Sequence, residues 1–124
     1  MARMTDSRNA LVVDDNPTNR LVAATLLRKL GWTVSEADSG EAALAKVGAE
    51  AFRLVLLDIS MPGLSGEDTC ARLRQLQSAA PLHILAYTAH AFQEDLDRLL
   101  AAGFDAVLVK PINRQRLEEM VAGL

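Results

Sequence analysis

The sequence has little of several things that commonly declare a function. It holds one cysteine, Cys70, in 124 residues. That excludes an internal disulfide framework and any cysteine-based zinc finger. Two histidines, His83 and His90, cannot build a histidine-rich metal site unaided. Aromatic residues make up only 4% of the chain: Trp32, Phe52, Tyr87, Phe92 and Phe104. The core must therefore be aliphatic, built from Leu, Val and Ala. Against 16 acidic residues stand 13 basic ones, a net charge of −3 that gives no general attraction to nucleic acid or anionic lipid. Apolar runs end after about four residues, far short of the ~18 that a membrane span needs. Met1 to Asn9 is polar without a hydrophobic centre, so it does not read as a signal peptide. The expectation is a cytoplasmic protein with no direct nucleic-acid binding and no membrane association. Residues 1–8 are expected as a polar lead to a single domain over residues 9–124, with no room for a separate output domain.

What is present alternates between two kinds of segment. Short β-prone stretches begin at Ala10, Thr33, Leu54, Leu82 and Ala106. Those from Ala10, Leu54 and Ala106 are apolar on successive residues, as in a strand covered on both faces. The stretch around Val34 is the most polar and suits a sheet edge. Between them lie segments with helical spacing. Pro17 to Leu30 sets Ala23, Leu26, Leu27 and Leu30 on one face, with Asn16 as N-cap and Gly31 as stop. Asp38 to Val47 opens on a capping box of Asp38 with Glu41 and carries Ala43, Leu44 and Val47. Ser65 to Leu76 carries Cys70, Leu73 and Leu76. Glu94 to Ala102 carries Leu96, Leu99 and Leu100, and Asn113 to Val121 carries Leu117, Met120 and Val121. Five β-α units require parallel strands with right-handed crossovers. The expected fold is an α/β doubly wound sandwich, since a closed barrel needs eight units.

In an open parallel sheet, ligands bind beyond the carboxyl ends of the strands. The first strand runs into Asp14-Asp15, the third into Asp58, the fourth into Thr88 and the fifth into Lys110-Pro111. Each alone has a bland explanation: Asp14 and Asp15 favour a helix start, and Asp58 caps a turn. Together, three carboxylates and a lysine at one sheet end would repel or destabilise unless a cation sits among them. Oxygen-only ligands favour Mg²⁺, which keeps waters and meets phosphate oxygens. Thr88 and Lys110 add a hydroxyl and a point charge suited to phosphate. The residues themselves point to a Mg²⁺-dependent phosphoryl site.

The chain resembles the receiver domain of two-component response regulators over about residues 9 to 123. The resemblance rests on Leu11-Val12-Val13-Asp14-Asp15-Asn16, Leu57-Asp58-Ile59-Ser60-Met61-Pro62-Gly63, Gly66, Thr88-Ala89 and Lys110-Pro111 in their spacing. The stretches Asp14 to Arg20 and Thr88 to Ala91 are most similar to receivers attached to hybrid sensor kinases or working in phosphorelays. The resemblance implies a flavodoxin-like, CheY-like (βα)₅ fold with a five-stranded parallel sheet. The strand order 2-1-3-4-5 is known for this fold family and is taken over with it. It implies Asp58 as phosphoacceptor from a phosphohistidine, forming an aspartyl phosphate. It implies Mg²⁺ held by Asp14, Asp15, Asp58 and the Ser60 carbonyl, with Thr88 and Lys110 on phosphoryl oxygens. The Lys110-Pro111 peptide is implied to be cis. Such a protein is no enzyme beyond its own phosphorylation and dephosphorylation. The implied donor is a histidine kinase or histidine phosphotransfer protein docking near the helix of residues 17–30, where Arg20 sits. The sequence names no downstream partner.

Family members usually carry Tyr or Phe three residues before the lysine, and here that position is Val107. A small or unconventional change on the fourth- and fifth-strand face is expected on phosphorylation. Tyr87 alternates to the sheet face opposite Thr88 and is not assigned the missing role. His90 and Ser60 hold positions from which side chains tune dephosphorylation, a plain loop histidine being the alternative for His90. Cys70 is expected to fill a core gap, His83 to be structural or exposed, and Trp32 to pack beside Gly31. Three rival readings remain. A haloacid-dehalogenase-like phosphatase wants Asp-x-Asp and a cap domain. A flavodoxin-like cofactor binder wants a phosphate loop where this chain has Asp-Asp-Asn-Pro. A degenerate receiver would serve only as an interaction module. Within the receiver reading, the chain is either free-standing, which an initiating Met1 favours, or excised from a hybrid sensor histidine kinase.

Overall fold

A computed structural model of the chain describes residues 8–61, 63–76, 82–89 and 92–124. The elements run β1 (Asn9–Val13), α1 (Pro17–Lys29), β2 (Thr33–Ala37), α2 (Gly40–Ala49), β3 (Leu54–Asp58), α3 (Gly66–Leu76), β4 (His83–Thr88), α4 (Gln93–Ala101), β5 (Ala106–Val109) and α5 (Arg114–Val121). All four strand pairings are parallel, in the order β2-β1-β3-β4-β5. The polar strand β2 is indeed an edge, and β5 is the other.

Side-chain alternation divides the core into two layers. Leu11, Val13, Val55, Leu57, Ile84 and Ala86 pack with Ala43, Val47, Cys70, Leu73 and Leu99 from α2, α3 and α4. Ala10, Val12, Leu54, Leu56, Leu85, Tyr87 and Leu108 pack with Ala23, Ala24, Leu27, Leu117 and Val121 from α1 and α5. Cys70 is fully buried in the first layer, and Trp32 closes the second just after Gly31. His83 is partly exposed, with Nδ1 3.8 Å from Asp105 Oδ2.

The helix starts follow local chemistry. Asn16 accepts from the Thr18 and Asn19 N–H groups, with Pro17 in the first turn. The capping box expected from Asp38 does not form. Ser39 is the N-cap of α2 and accepts from the Ala42 N–H, so the helix starts one residue later than Asp38 as cap would place it. α2 also runs through Gly48, which is exposed, to Ala49. Two expected core positions are surface: Leu76 is 46% exposed and Leu100 is 48% exposed. Each lies in the last turn of its helix, where Leu73 and Leu99 already fill the sheet contact.

Two glycines are required by close approach. A Cβ on Gly66 would lie 2.8 Å from Ile59 Cβ and 2.9 Å from Ile59 Cα. A Cβ on Gly40 would lie 2.5 Å from Thr69 Oγ1. α2 and α3 therefore pack with their first turns close to neighbouring atoms, and Gly66 fixes α3 against the loop that follows Asp58.

Candidate functional site

The alternation that builds the core also aims the polar residues. Asp14 follows Val12, Asp58 follows Leu56, and Lys110 follows Leu108, so all three continue the α1/α5 face at the carboxyl end of the sheet. Asp14 is 1% exposed and Asp58 2% exposed, whereas Asp15 is exposed at the rim. The three carboxylates bring ligand oxygens within 4.8 Å of one another. Lys110 Nζ lies 3.3 Å from Asp58 Oδ1. The Ser60 N–H donates to the same Asp58 oxygen at 3.0 Å, an Asx turn that orients the carboxylate and brings Ser60 beside it. The Asn16 N–H donates to Asp14 Oδ1 at 2.9 Å.

The other oxygen of Asp14, Oδ2, is buried and accepts no hydrogen bond. A buried carboxylate oxygen left in that state is costly. Burial accordingly pushes the Asp14 pKa up to about 6. The Asn16 N–H draws it down, and the charge of Asp58 pushes it up again. These features fit a bound cation: oxygen donors only, crowded negative charge and one orphaned lone pair.

Thr88 ends β4 and is 1% exposed. It continues the opposite face of the sheet, that of Ile84 and Ala86, as does Val107. The chain is held there by the Lys110 N–H donating to the Thr88 carbonyl at 2.7 Å. The Lys110-Pro111 peptide is cis, as the resemblance implied. Val107 is only partly buried and packs against the α2–α4 layer. His90 lies outside the described residues.

Two features escaped the sequence reading. Arg20 donates from Nη1 to the Asp14 carbonyl at 2.8 Å and pairs through Nε with Glu36 Oε1 at 3.1 Å. It therefore buttresses the backbone at Asp14 from α1 and β2. The second is Tyr87. Its ring centroid is 4.7 Å from Lys110 Nζ, a cation–π contact. Burial raises the pKa of its phenol, the charges of Asp14 and Asp58 raise it further, and a hydrogen bond with the Ile112 backbone opposes them. The alternation that set Tyr87 apart from Thr88 is correct, and the face it points to is the one that carries Lys110.

An open parallel sheet of order 2-1-3-4-5 with acidic residues at its carboxyl edge defines a class of doubly wound phosphoryl or metal sites. Residues 10–122 match the response regulator receiver domain family, and the chain belongs to it. It is a receiver domain of two-component signalling. It is 42% identical over 114 residues to the sensor histidine kinase GacS of Pseudomonas protegens, a match covering 90% of this chain and 12% of that protein. The chain thus spans about one-eighth of the length of that relative. Among solved structures it is similar to the receiver domain of the sensor histidine kinase PA1611 from Pseudomonas aeruginosa PAO1, with magnesium coordinated in the active-site cleft. The identity is 31%, the TM-score is 0.82, and the match covers 92% of this chain and 93% of that one. It is also similar to the receiver domain of Saccharomyces cerevisiae Ssk1 in complex with the histidine phosphotransfer protein Ypd1. There the identity is 28% and the TM-score 0.85, over 93% of this chain and 86% of that one. Receivers of this kind are generally phosphoacceptors rather than enzymes acting on a separate substrate. Among the described residues no helix is long and apolar enough to cross a membrane.

Proposed function

We propose that Asp58 accepts a phosphoryl group from a phosphohistidine donor in a Mg²⁺-dependent reaction. The observation that carries this reading is the pairing of the buried Asp58 carboxylate with Lys110 at 3.3 Å beside two further carboxylates. An Asp58 oxygen attacks phosphorus, the new P–O bond forms as the P–N bond to histidine breaks, and the released imidazole takes a proton from water. Lys110 meets a phosphoryl oxygen as the charge moves outward from the carboxylate. Thr88 donates its hydroxyl to another. Asp14, Asp15, Asp58 and the Ser60 carbonyl would hold the ion, and Asn16 keeps Asp14 turned toward it. Bound there, Mg²⁺ neutralises the charge that builds on the transferring group.

The histidine donor docks on α1. Leu21 and Val22 are 57% and 43% exposed there, one turn beyond the acidic cluster. Arg20 is occupied by Glu36 and the Asp14 carbonyl, so it shapes the site more than it greets a partner. The receiver unit spans residues 9–124 after a polar lead, acts in the cytoplasm, and has no activity beyond its own phosphorylation and dephosphorylation.

The test is incubation with acetyl phosphate and Mg²⁺ followed by intact-mass measurement. One phosphoryl addition is expected in the wild type and none in Asp58→Asn. An addition that persists in Asp58→Asn overturns the acceptor assignment, and none in the wild type favours an interaction module.

A further inference from the structure

We propose that Tyr87 is a positioning residue for Lys110, holding its ammonium on the ring face within reach of a phosphoryl group on Asp58. The proposal rests on the reading of Asp58 as acceptor. Among the described residues, Tyr87 and Trp32 are the aromatic side chains of the second core layer. It pairs across β3 and β4 with Asp58 itself. It is 3% exposed, so close packing in the core layer holds the ring in place. The buried ring meets Lys110 Nζ at 4.7 Å, while Asp58 Oδ1 lies 3.3 Å from the same nitrogen.

The two partners constrain the ammonium differently. The carboxylate takes one N–H donor along a fixed direction. The ring attracts the charge through its quadrupole and needs no N–H at all, leaving donors available for oxygen. When Asp58 carries a phosphoryl group, the negative charge moves outward and the ammonium must follow. An aromatic face lets it travel without ever being unpartnered. An aliphatic side chain at position 87 would keep the core layer apolar but would leave the lysine stem free to sample rotamers away from Asp58.

The experiment uses the whole chain with Tyr87→Leu, Tyr87→Phe, Lys110→Met and the double variant Tyr87→Leu/Lys110→Met. Proton NMR of the unphosphorylated protein reads the Lys110 ε-methylene resonances, which a ring face shifts upfield. The shift is expected in the wild type and in Tyr87→Phe, and absent in Tyr87→Leu. Phosphorylation by acetyl phosphate with Mg²⁺ is expected to slow roughly threefold to tenfold in Tyr87→Leu. Mg²⁺ affinity should stay unchanged, a split that general loosening of the core would not produce. In the Lys110→Met background the leucine substitution should have no further effect. Unshifted Lys110 resonances in the wild type overturn the proposal, and so does equal slowing in both backgrounds. If Tyr87→Leu does not fold, the wild-type shift and its retention in Tyr87→Phe decide the matter. Failure of the acceptor reading would appear separately, as a wild type that takes no phosphoryl group.

Discussion

Replacing Asp14 with Asn should stabilise the metal-free protein while weakening its response to Mg²⁺. Burial holds the Asp14 pKa near 6 in the fold against an ordinary value of 3.8. One pKa unit corresponds to ~1.4 kcal/mol. Ionising this residue in the folded state therefore costs roughly 2–3 kcal/mol at neutral pH. The sign follows from proton linkage. The folded protein holds the Asp14 proton more tightly than the unfolded chain, so this contribution is fully present below about pH 4. It is lost as pH rises through about 6. Asn keeps the oxygen that accepts from the Asn16 N–H, removes the charge beside Asp58 and puts an amide donor in place of the orphaned Oδ2. Urea unfolding in chelator, followed by emission of the buried Trp32, measures the difference. Asp14→Asn should match the wild type at about pH 4 and exceed it by roughly 1–3 kcal/mol at about pH 7.5. Added Mg²⁺ should close or reverse that gap, because only the wild type gains the full binding free energy. A variant less stable than the wild type in chelator at neutral pH would refute the reasoning, and so would a difference that ignores pH.

Two further predictions concern the frame around the site. Asp105 accepts from the Ile84 N–H at 2.7 Å and pairs with Arg74 at 2.7 Å. Burial opposes its ionisation, but these donors outweigh it and hold its pKa below the ordinary range. Asp105→Ala should cost about 1–2 kcal/mol in urea unfolding at neutral pH. That stabilisation is present above the unfolded value of 3.8, so the difference should shrink as pH falls below it. Gly66→Ala forces a Cβ to 2.8 Å from Ile59 and should cost about 1–3 kcal/mol, read from the unfolding midpoint. It should also slow phosphorylation by acetyl phosphate, because Ile59 follows Asp58 directly.

Most of the architecture was legible because it rests on periodicity. Alternation of short apolar stretches with helical segments dictates a parallel sheet, and the strand ends then locate Asp14, Asp15, Asp58, Thr88 and Lys110 without reference to packing. The legible parts are those in which one residue's role depends on its neighbours in sequence. Failures fall where it depends on neighbours in space. Asp38 and Ser39 are both competent caps, and only the path from β2 into α2 selects Ser39. Leu76 and Leu100 fit the helical stripe, yet in those last turns Leu73 and Leu99 already fill the contact with the sheet. Arg20 pairs across sixteen positions with Glu36, which no local pattern announces. Tyr87 was correctly assigned a face, but the meeting with Lys110 depends on how far β4 and β5 run side by side, Tyr87 lying opposite Leu108.

The division of the site between two faces has a consequence for how such a protein diversifies. Asp14, Asp58, Tyr87 and Lys110 occupy the side under α1 and α5, whereas Thr88 and Val107 look toward α2–α4. On the proposed reading of Asp58 as acceptor, the sheet works as a bulkhead, with the reacting groups in one compartment and the surface that a partner would read in the other. Thr88, at the end of β4, is a candidate site side chain that belongs to the far compartment. On that reading, a substitution at position 107 would alter which partner hears the signal while leaving the chemistry that generates it intact.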